Sequence, residues 1–264
     1  HIRIIISNRG PETAELHILP TLWFRNTWSW GITSDPRPII KAGKISKGAS
    51  WAVEADHPNL RYYLYGRQEA RLLYTENESN YQRLWNQPNP TPYVKDAFHR
   101  FIVNGDKDAV NPVQKGTKFA AWYTYTVASG RQEVIEMVLS ARPMQAPFKK
   151  TTVTFSNRES EANKFFNDLL PGAGKDDRLI IQQAFAGMIW SKQFYNYDLS
   201  RWLDGDMLPP PEERKNGRNH IWRHFKAADI ISMPDKWEYP WFAAWDLSFH
   251  SAAMALIDID FAKE

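Results

Sequence analysis

Glu133-Val134-Ile135-Glu136-Met137-Val138-Leu139-Ser140-Ala141-Arg142-Pro143 is where the hydrophobic period of the chain changes. Up to Ser140 the pattern belongs to extended strands, and beyond Pro143 it follows the 3.6-residue repeat of helices. Working back toward residue 1, short apolar or alternating runs recur at Arg3–Ser7, Glu15–Phe24, Lys44–Glu54, Arg61–Tyr65, Ala70–Thr75 and Lys118–Ala128. Turn signals separate them: Asn-Arg-Gly-Pro, Ala-Gly-Lys, Asn-Gly-Asp and Ala-Ser-Gly. Such spacing predicts an antiparallel β-sandwich over residues 1–142, with a helical insertion at Tyr93–Val103.

Working forward, residues 143–178 read as a linker with a helix. Ser156-Asn-Arg-Glu159 has capping-box spacing, and Ala162, Phe165, Phe166 and Leu169 follow at helical intervals until Pro171. Residues 179–264 read as a helical region. A stripe of Ile180, Ile181, Ala184, Phe185, Met188 and Ile189 opens it, and Trp190, Gln193, Phe194 and Tyr197 continue at helical spacing. That second stripe suits either amphipathic packing or a pocket wall with one amide for a ligand hydroxyl. Residues 198–235 read as largely irregular, with Pro209-Pro-Pro211 and a basic cluster around Arg214–Lys226. From Ala243 one helix is expected, carrying Leu247, His250, Met254, Ile257 and Phe261 on one face. The fold class expected is thus a multidomain α+β chain.

Composition narrows the chemistry. The 264 residues carry a net charge of +3, so no chain-wide basic field points to nucleic acid. Without cysteine there is no disulfide framework, thiolate nucleophile or thiolate metal site, and a reducing, cytoplasmic setting is expected. No apolar run approaches the roughly 20 residues that span a bilayer, so no membrane partner is expected. Nucleophile elbow, zinc-protease helix, P-loop and dinucleotide fingerprint are all missing from the sequence. His220 and His224 stand four apart without a carboxylate beside them, so no metal or other cofactor is called for. The chain starts inside a strand-like pattern and stops inside a helix-like one, and is expected to be an internal piece of a longer polypeptide.

Aromatic residues reach 14%, with 12 tryptophans. They concentrate around one carboxylate in Trp237-Glu-Tyr-Pro-Trp-Phe-Ala-Ala-Trp-Asp246-Leu-Ser-Phe-His250. Aromatic faces suit the apolar C–H patches of a sugar ring. A carboxyl group desolvated among rings keeps its proton near neutral pH and can act as a general acid. A helix N-terminus at Asp246 works in the opposite direction, favouring the charged form. The candidate catalytic residue is Asp246. The candidate substrate-binding residues are Trp190, Gln193, Trp237, Tyr239, Trp241, Trp245 and His250, the last one helical turn from Asp246.

Three stretches resemble bacterial glucosidase-like proteins of glycoside hydrolase family 63: Ser232–His250, Leu16–Trp30 and Gly187–Tyr195. The resemblance implies an N-terminal β-sandwich followed by an (α/α)6 barrel. It also implies an inverting α-glycosidase acting on oligosaccharides, with Asp246 as general acid. The family's general base is a glutamate from later in the barrel, and no residue here matches it. The implied partners are therefore an oligosaccharide and the C-terminal half of the same polypeptide, and these 264 residues alone are expected to be inactive. The alternative from another class is a non-catalytic carbohydrate-binding or scaffold module that stacks sugars on Trp23, Trp28 or Trp30.

Overall fold

The computed structural model describes residues 1–31, 36–205, 209–235, 237–239 and 241–264. The chain is mixed α+β and divides into two compact units, His1–Asn157 and Arg158–Glu264.

The first unit is built from ten strands. They are β1 (Ile2–Ser7), β2 (Ala14–Ile18), β3 (Thr21–Trp23), β4 (Ile39–Ala42) and β5 (Trp51–His57), then β6 (Leu60–Gly66), β7 (Arg71–Thr75), β8 (Lys115–Gly116), β9 (Lys118–Val127) and β10 (Gln132–Ser140). Helices α1 (Tyr81–Trp85) and α2 (Ala97–Val103) lie between β7 and β8, and α3 (Thr151–Leu169) follows β10 and runs past Asn157. One antiparallel sheet has the order β1-β10-β6-β5-β4-β8. In the other, β9 is central, with β2 and β3 along one side and β7 on the other.

Strands β2 and β3 are one strand interrupted. Ile18 faces Tyr123 and Thr21 faces Ala120, so the register passes through Leu19-Pro20 unchanged. Pro20 has no N–H for the ladder, but its carbonyl accepts the Ala121 N–H at 3.1 Å and keeps the pairing in step.

Period-two alternation explains the packing. Ile40, Trp51, Val53, Ala55, Leu64, Ile135 and Met137 of the first sheet meet Tyr74, Phe119, Ala121 and Tyr123 of the second in one core, with Ile4 and Ile6 at its margin. The alternate residues of β9, Ala120 and Trp122, turn to a second cluster with Leu73 and with Ala97, Phe98 and Phe101 of α2. Being buried on both faces is why Phe119-Ala-Ala-Trp-Tyr123 reads as a continuous apolar run. Each large side chain so buried contributes about 1.5–3 kcal/mol.

Inside the first core, Trp51 Nε1–H donates to the Tyr123 hydroxyl at 3.1 Å. Burial pushes the Tyr123 phenol up to about 12. Gly66 faces Trp51 across the ladder, and a Cβ there would sit 1.9 Å from the indole ring. On the outer face, Glu136 Oε1 accepts from Arg3 Nε at 2.9 Å and Arg3 NH2 at 2.7 Å, while Oε2 accepts from Arg67.

The second unit contains the rest of α3, then α4 (Lys175–Trp190), β11 (Lys192–Asp198), α5 (Leu199–Asp204), β12 (Lys226–Ser232), α6 (Ala244–Met254) and α7 (Ile259–Lys263). Asp176 and Asp177 occupy the first turn of α4, where carboxylates complement the helix dipole. Strands β11 and β12 pair antiparallel from Lys192↔Ser232 to Asp198↔Lys226. Leu199, Leu203, Ile231, Met233 and Met254 are its most buried apolar residues alongside Phe166 and Phe185.

Four expectations are corrected. Helix α3 starts at Thr151, a turn and more before the Ser156 capping-box signal, which lies inside it. The α4 helix ends at Trp190, and Gln193, Phe194 and Tyr197 sit on a strand rather than a continued helix. Residues 198–235 are not largely irregular, since they hold α5, a 3-10 turn at Glu212–Asn216 and β12. The final helix is two: residues 255–258 break it, and the Asp258 side chain caps α7 by accepting the Phe261 N–H at 3.0 Å. Ile257 and Phe261 therefore do not extend the face carried by Leu247, His250 and Met254. Among the described residues no helix is long and apolar enough to cross a membrane.

Candidate functional site

The candidate residues fall on the end of α4, the hairpin β11–β12, the described residues between β12 and α6, and the first two turns of α6. Lys236 and Pro240, which belong to the aromatic motif, lie outside the described residues.

Asp246 is in the first turn of α6, whose N-cap, Ala243, supplies no side-chain acceptor. A carboxylate there lies near the unsatisfied N–H groups and the positive end of the helix dipole. Asp246 is half-buried and makes no hydrogen bond or ion pair among the described residues. Asp246 and His250, one helical turn apart, do not pair. His250 Nδ1 instead lies 3.1 Å from the Ser232 hydroxyl, which ties the second turn of α6 to the end of β12.

Gln193 is on β11, where Gln193, Tyr195 and Tyr197 share the half-buried face and Phe194 and Asn196 the exposed one. Its Nε2–H donates to the Tyr239 carbonyl at 3.1 Å, so the amide is spent on holding the loop beside the hairpin. Tyr195, which sequence reasoning passed over, meets Phe242 with ring centroids 5.9 Å apart. Burial raises its phenol above the ordinary tyrosine range. Period-two alternation in Gln-Phe-Tyr-Asn-Tyr was the signal that could have found it.

The aromatic rings form two local pairs, one preceding Asp246 in sequence and one straddling it. Tyr239 and Trp241 are tilted at 5.6 Å, and Trp245 and Phe249 meet edge-on at 5.9 Å. Trp237, Trp245 and Trp190 are 91%, 71% and 86% exposed, so within this unit the rings are displayed rather than closed over Asp246.

The basic run of residues 214–226 is largely consumed internally. Arg223 forms a two-pronged ion pair with Asp204 at 2.9 Å on each branch, and Lys215 pairs with Glu212 at 2.9 Å. Arg214 lies over the Trp202 ring at 3.8 Å. His220 and His224 are in turns rather than on a helix, and no group of ligating side chains suited to a metal occurs among the described residues.

No family model matches the chain. The uncharacterized protein YMR196W of Saccharomyces cerevisiae is similar to it, with 36% identity over 300 aligned residues. That alignment takes in all of this chain and 28% of the yeast protein. The chain thus spans well under a third of the length of the curated relative it matches.

Proposed function

We propose that this chain is part of an inverting, α-glucosidase-like glycoside hydrolase in which Asp246 is the general acid. In this reading the two antiparallel sheets are its β-sandwich, and α4 and α6 belong to the opening of an (α/α)6 barrel. The observation that carries the proposal is the placement of Asp246. It is a carboxyl group without a partner among the described residues, on a helix's first turn, preceded in sequence by the Tyr239–Trp241 pair and straddled by the exposed Trp245–Phe249 pair.

The chemistry asked of it is one proton transfer. The Asp246 carboxyl donates its proton to the glycosidic oxygen as the bond from that oxygen to the anomeric carbon breaks. Water adds to that carbon from the opposite face and loses a proton to a second carboxylate ~6.5–9.5 Å away. That second carboxylate is contributed by the rest of the polypeptide. Closure by the same segment excludes water from the reacting centre. Trp241 and Trp245 stack on the sugar in the cleaved subsite, and Gln193 acts indirectly by fixing the Tyr239 loop.

The test is hydrolysis of α-linked glucose disaccharides by the longer polypeptide carrying this sequence. Asp246→Asn is expected to lower turnover by about 10³-fold or more while leaving disaccharide affinity within about twofold. Turnover retained by Asp246→Asn sinks the assignment. Sugar binding with no hydrolysis in the parent protein points instead to a carbohydrate-binding module.

A further inference from the structure

The outer face of the first sheet carries a cleft that the glycosidase reading does not use. It has a volume of about 610 Å³, and lies between β5 and β6, the loop at residues 43–47 and the segment 143–145. That size is typical of sites for small organic ligands. Its depth comes from small residues: Ala52 stands directly opposite Tyr65 across the ladder, and Gly43 hydrogen-bonds to the Ala52 carbonyl at 2.9 Å. Two clasps hold the walls. Lys47 N–H donates to the Gln145 carbonyl at 3.0 Å, and Met144 N–H donates to the Tyr65 hydroxyl at 3.0 Å.

The polar groups facing this space are mostly donors. Tyr65 is 2% exposed, and its oxygen already accepts from Met144, so its own proton has no acceptor among the described residues. The ammonium groups of Lys44 and Lys47 form no ion pair among the described residues. Glu54, the one carboxylate of the lining, lies 3.8 Å from the Lys41 ammonium, which offsets its charge. An apolar lining, with Ala52 and the edge of Tyr65 at the bottom and the exposed Ile45 at the side, thus combines with a rim of two unspent cations and a buried phenolic donor.

We propose that this cleft binds a compact organic anion, a carboxylate or phosphate ester whose apolar body packs against Ile45 above Ala52 and Tyr65 and whose charged head meets Lys44 and Lys47. The ligand class follows from the donor excess, since a cation would find only a carboxylate that already has a partner. A neutral ligand would leave both ammonium groups unused.

Amide chemical shifts of the 264-residue chain, titrated with phenyl phosphate and with phenylacetate, test this directly. Saturable shifts at Gly43 and Met144 below roughly 10 mM are expected for at least one probe, and the tighter of the two assigns the head group. The exposed-residue double variant Lys44→Ala/Lys47→Ala is expected to weaken binding by about tenfold or more, and raising the salt to weaken it in the wild type. Tyr65→Phe is expected to weaken it further without removing the ring. The proposal is overturned if neither probe saturates, or if the lysine variant binds unchanged. Equal affinity for benzyl alcohol overturns the anionic part, and equal affinity for inorganic phosphate overturns the apolar part. None of these outcomes depends on whether Asp246 is catalytic.

Discussion

Replacing Glu136 by Gln removes the negative centre of the clasp that ties β1 to β10 and to Arg67. Its side chain is 8% exposed, and three guanidinium N–H groups converge on its two oxygens. Breaking a fully buried ion pair costs about 3–5 kcal/mol. Here Arg3 and Arg67 are 28% and 50% exposed and can regain water, and the amide oxygen still accepts one bond. Roughly 2–3 kcal/mol is therefore the expected loss, with each arginine retaining its aromatic contact, Arg3 over Phe155 at 4.3 Å and Arg67 over Phe148 at 5.8 Å. At this size that corresponds to a fall of about 4–12 °C in Tm.

The loss has a pH signature. Burial pushes the Glu136 carboxyl up, but hydrogen bonds from Arg67 and Arg3, and then their charges, more than offset it and hold it below the ordinary value of 4.5. A depressed folded-state value means the unfolded chain binds the proton more readily. The stabilisation is present above the unfolded value and lost as pH falls through the folded one. Urea unfolding followed by near-ultraviolet circular dichroism at pH 7, 5 and 3 is the assay. Glu136→Gln should be less stable at pH 7 and 5, and the gap should shrink toward pH 3. A gap under about 0.5 kcal/mol at pH 7, or one that does not change with pH, would refute the reasoning.

Two further outcomes follow from the first core. The Tyr74 hydroxyl is buried without a partner among the described residues, and burial raises its phenol well above the ordinary range; Tyr74→Phe is expected to be neutral or to stabilise by about 1 kcal/mol, and a loss above 1 kcal/mol in urea unfolding would reveal a missed partner. A Cβ on Gly116 would lie 2.1 Å from the Thr75 carbonyl oxygen, whereas one on Gly66 meets the Trp51 side chain. Gly116→Ala should therefore destabilise by about 2–3 kcal/mol or more in the same experiment, and by more than Gly66→Ala, because a ring can shift and a paired backbone cannot.

Most strands of the first unit were legible because each alternation is local and bracketed by turn residues, but the run Lys44–Glu54 becomes strand only from Trp51. Residues 133–140 and 118–128 match β10 and β9 to within a residue or so at each end. Strand β4 was not legible: Pro36 and Pro38 stand just before Ile39, and such punctuation signals a loop, although the strand begins immediately after the second proline. Strand β11 was misread for a different reason. Trp190, Gln193, Phe194 and Tyr197 fit a helical stripe as well as they fit a strand, and what decides between them is pairing with β12, far along the chain. For the candidate site, the position of Asp246 near a helix start could be read from Ala243-Ala-Trp-Asp246. The partner of His250 could not, because Ser232 is brought there by the hairpin.

The hairpin also fixes where the segment between its strands begins and ends. Everything between Asp198 and Lys226 departs from and returns to two residues that are ladder partners. Such an excursion is topologically a cassette: doubling its length adds only about 0.6 kcal/mol of closure entropy. What limits exchange of the segment is therefore packing: Leu199 and Leu203 near its start are each 2% exposed, and a replacement that keeps them leaves the two strands unchanged.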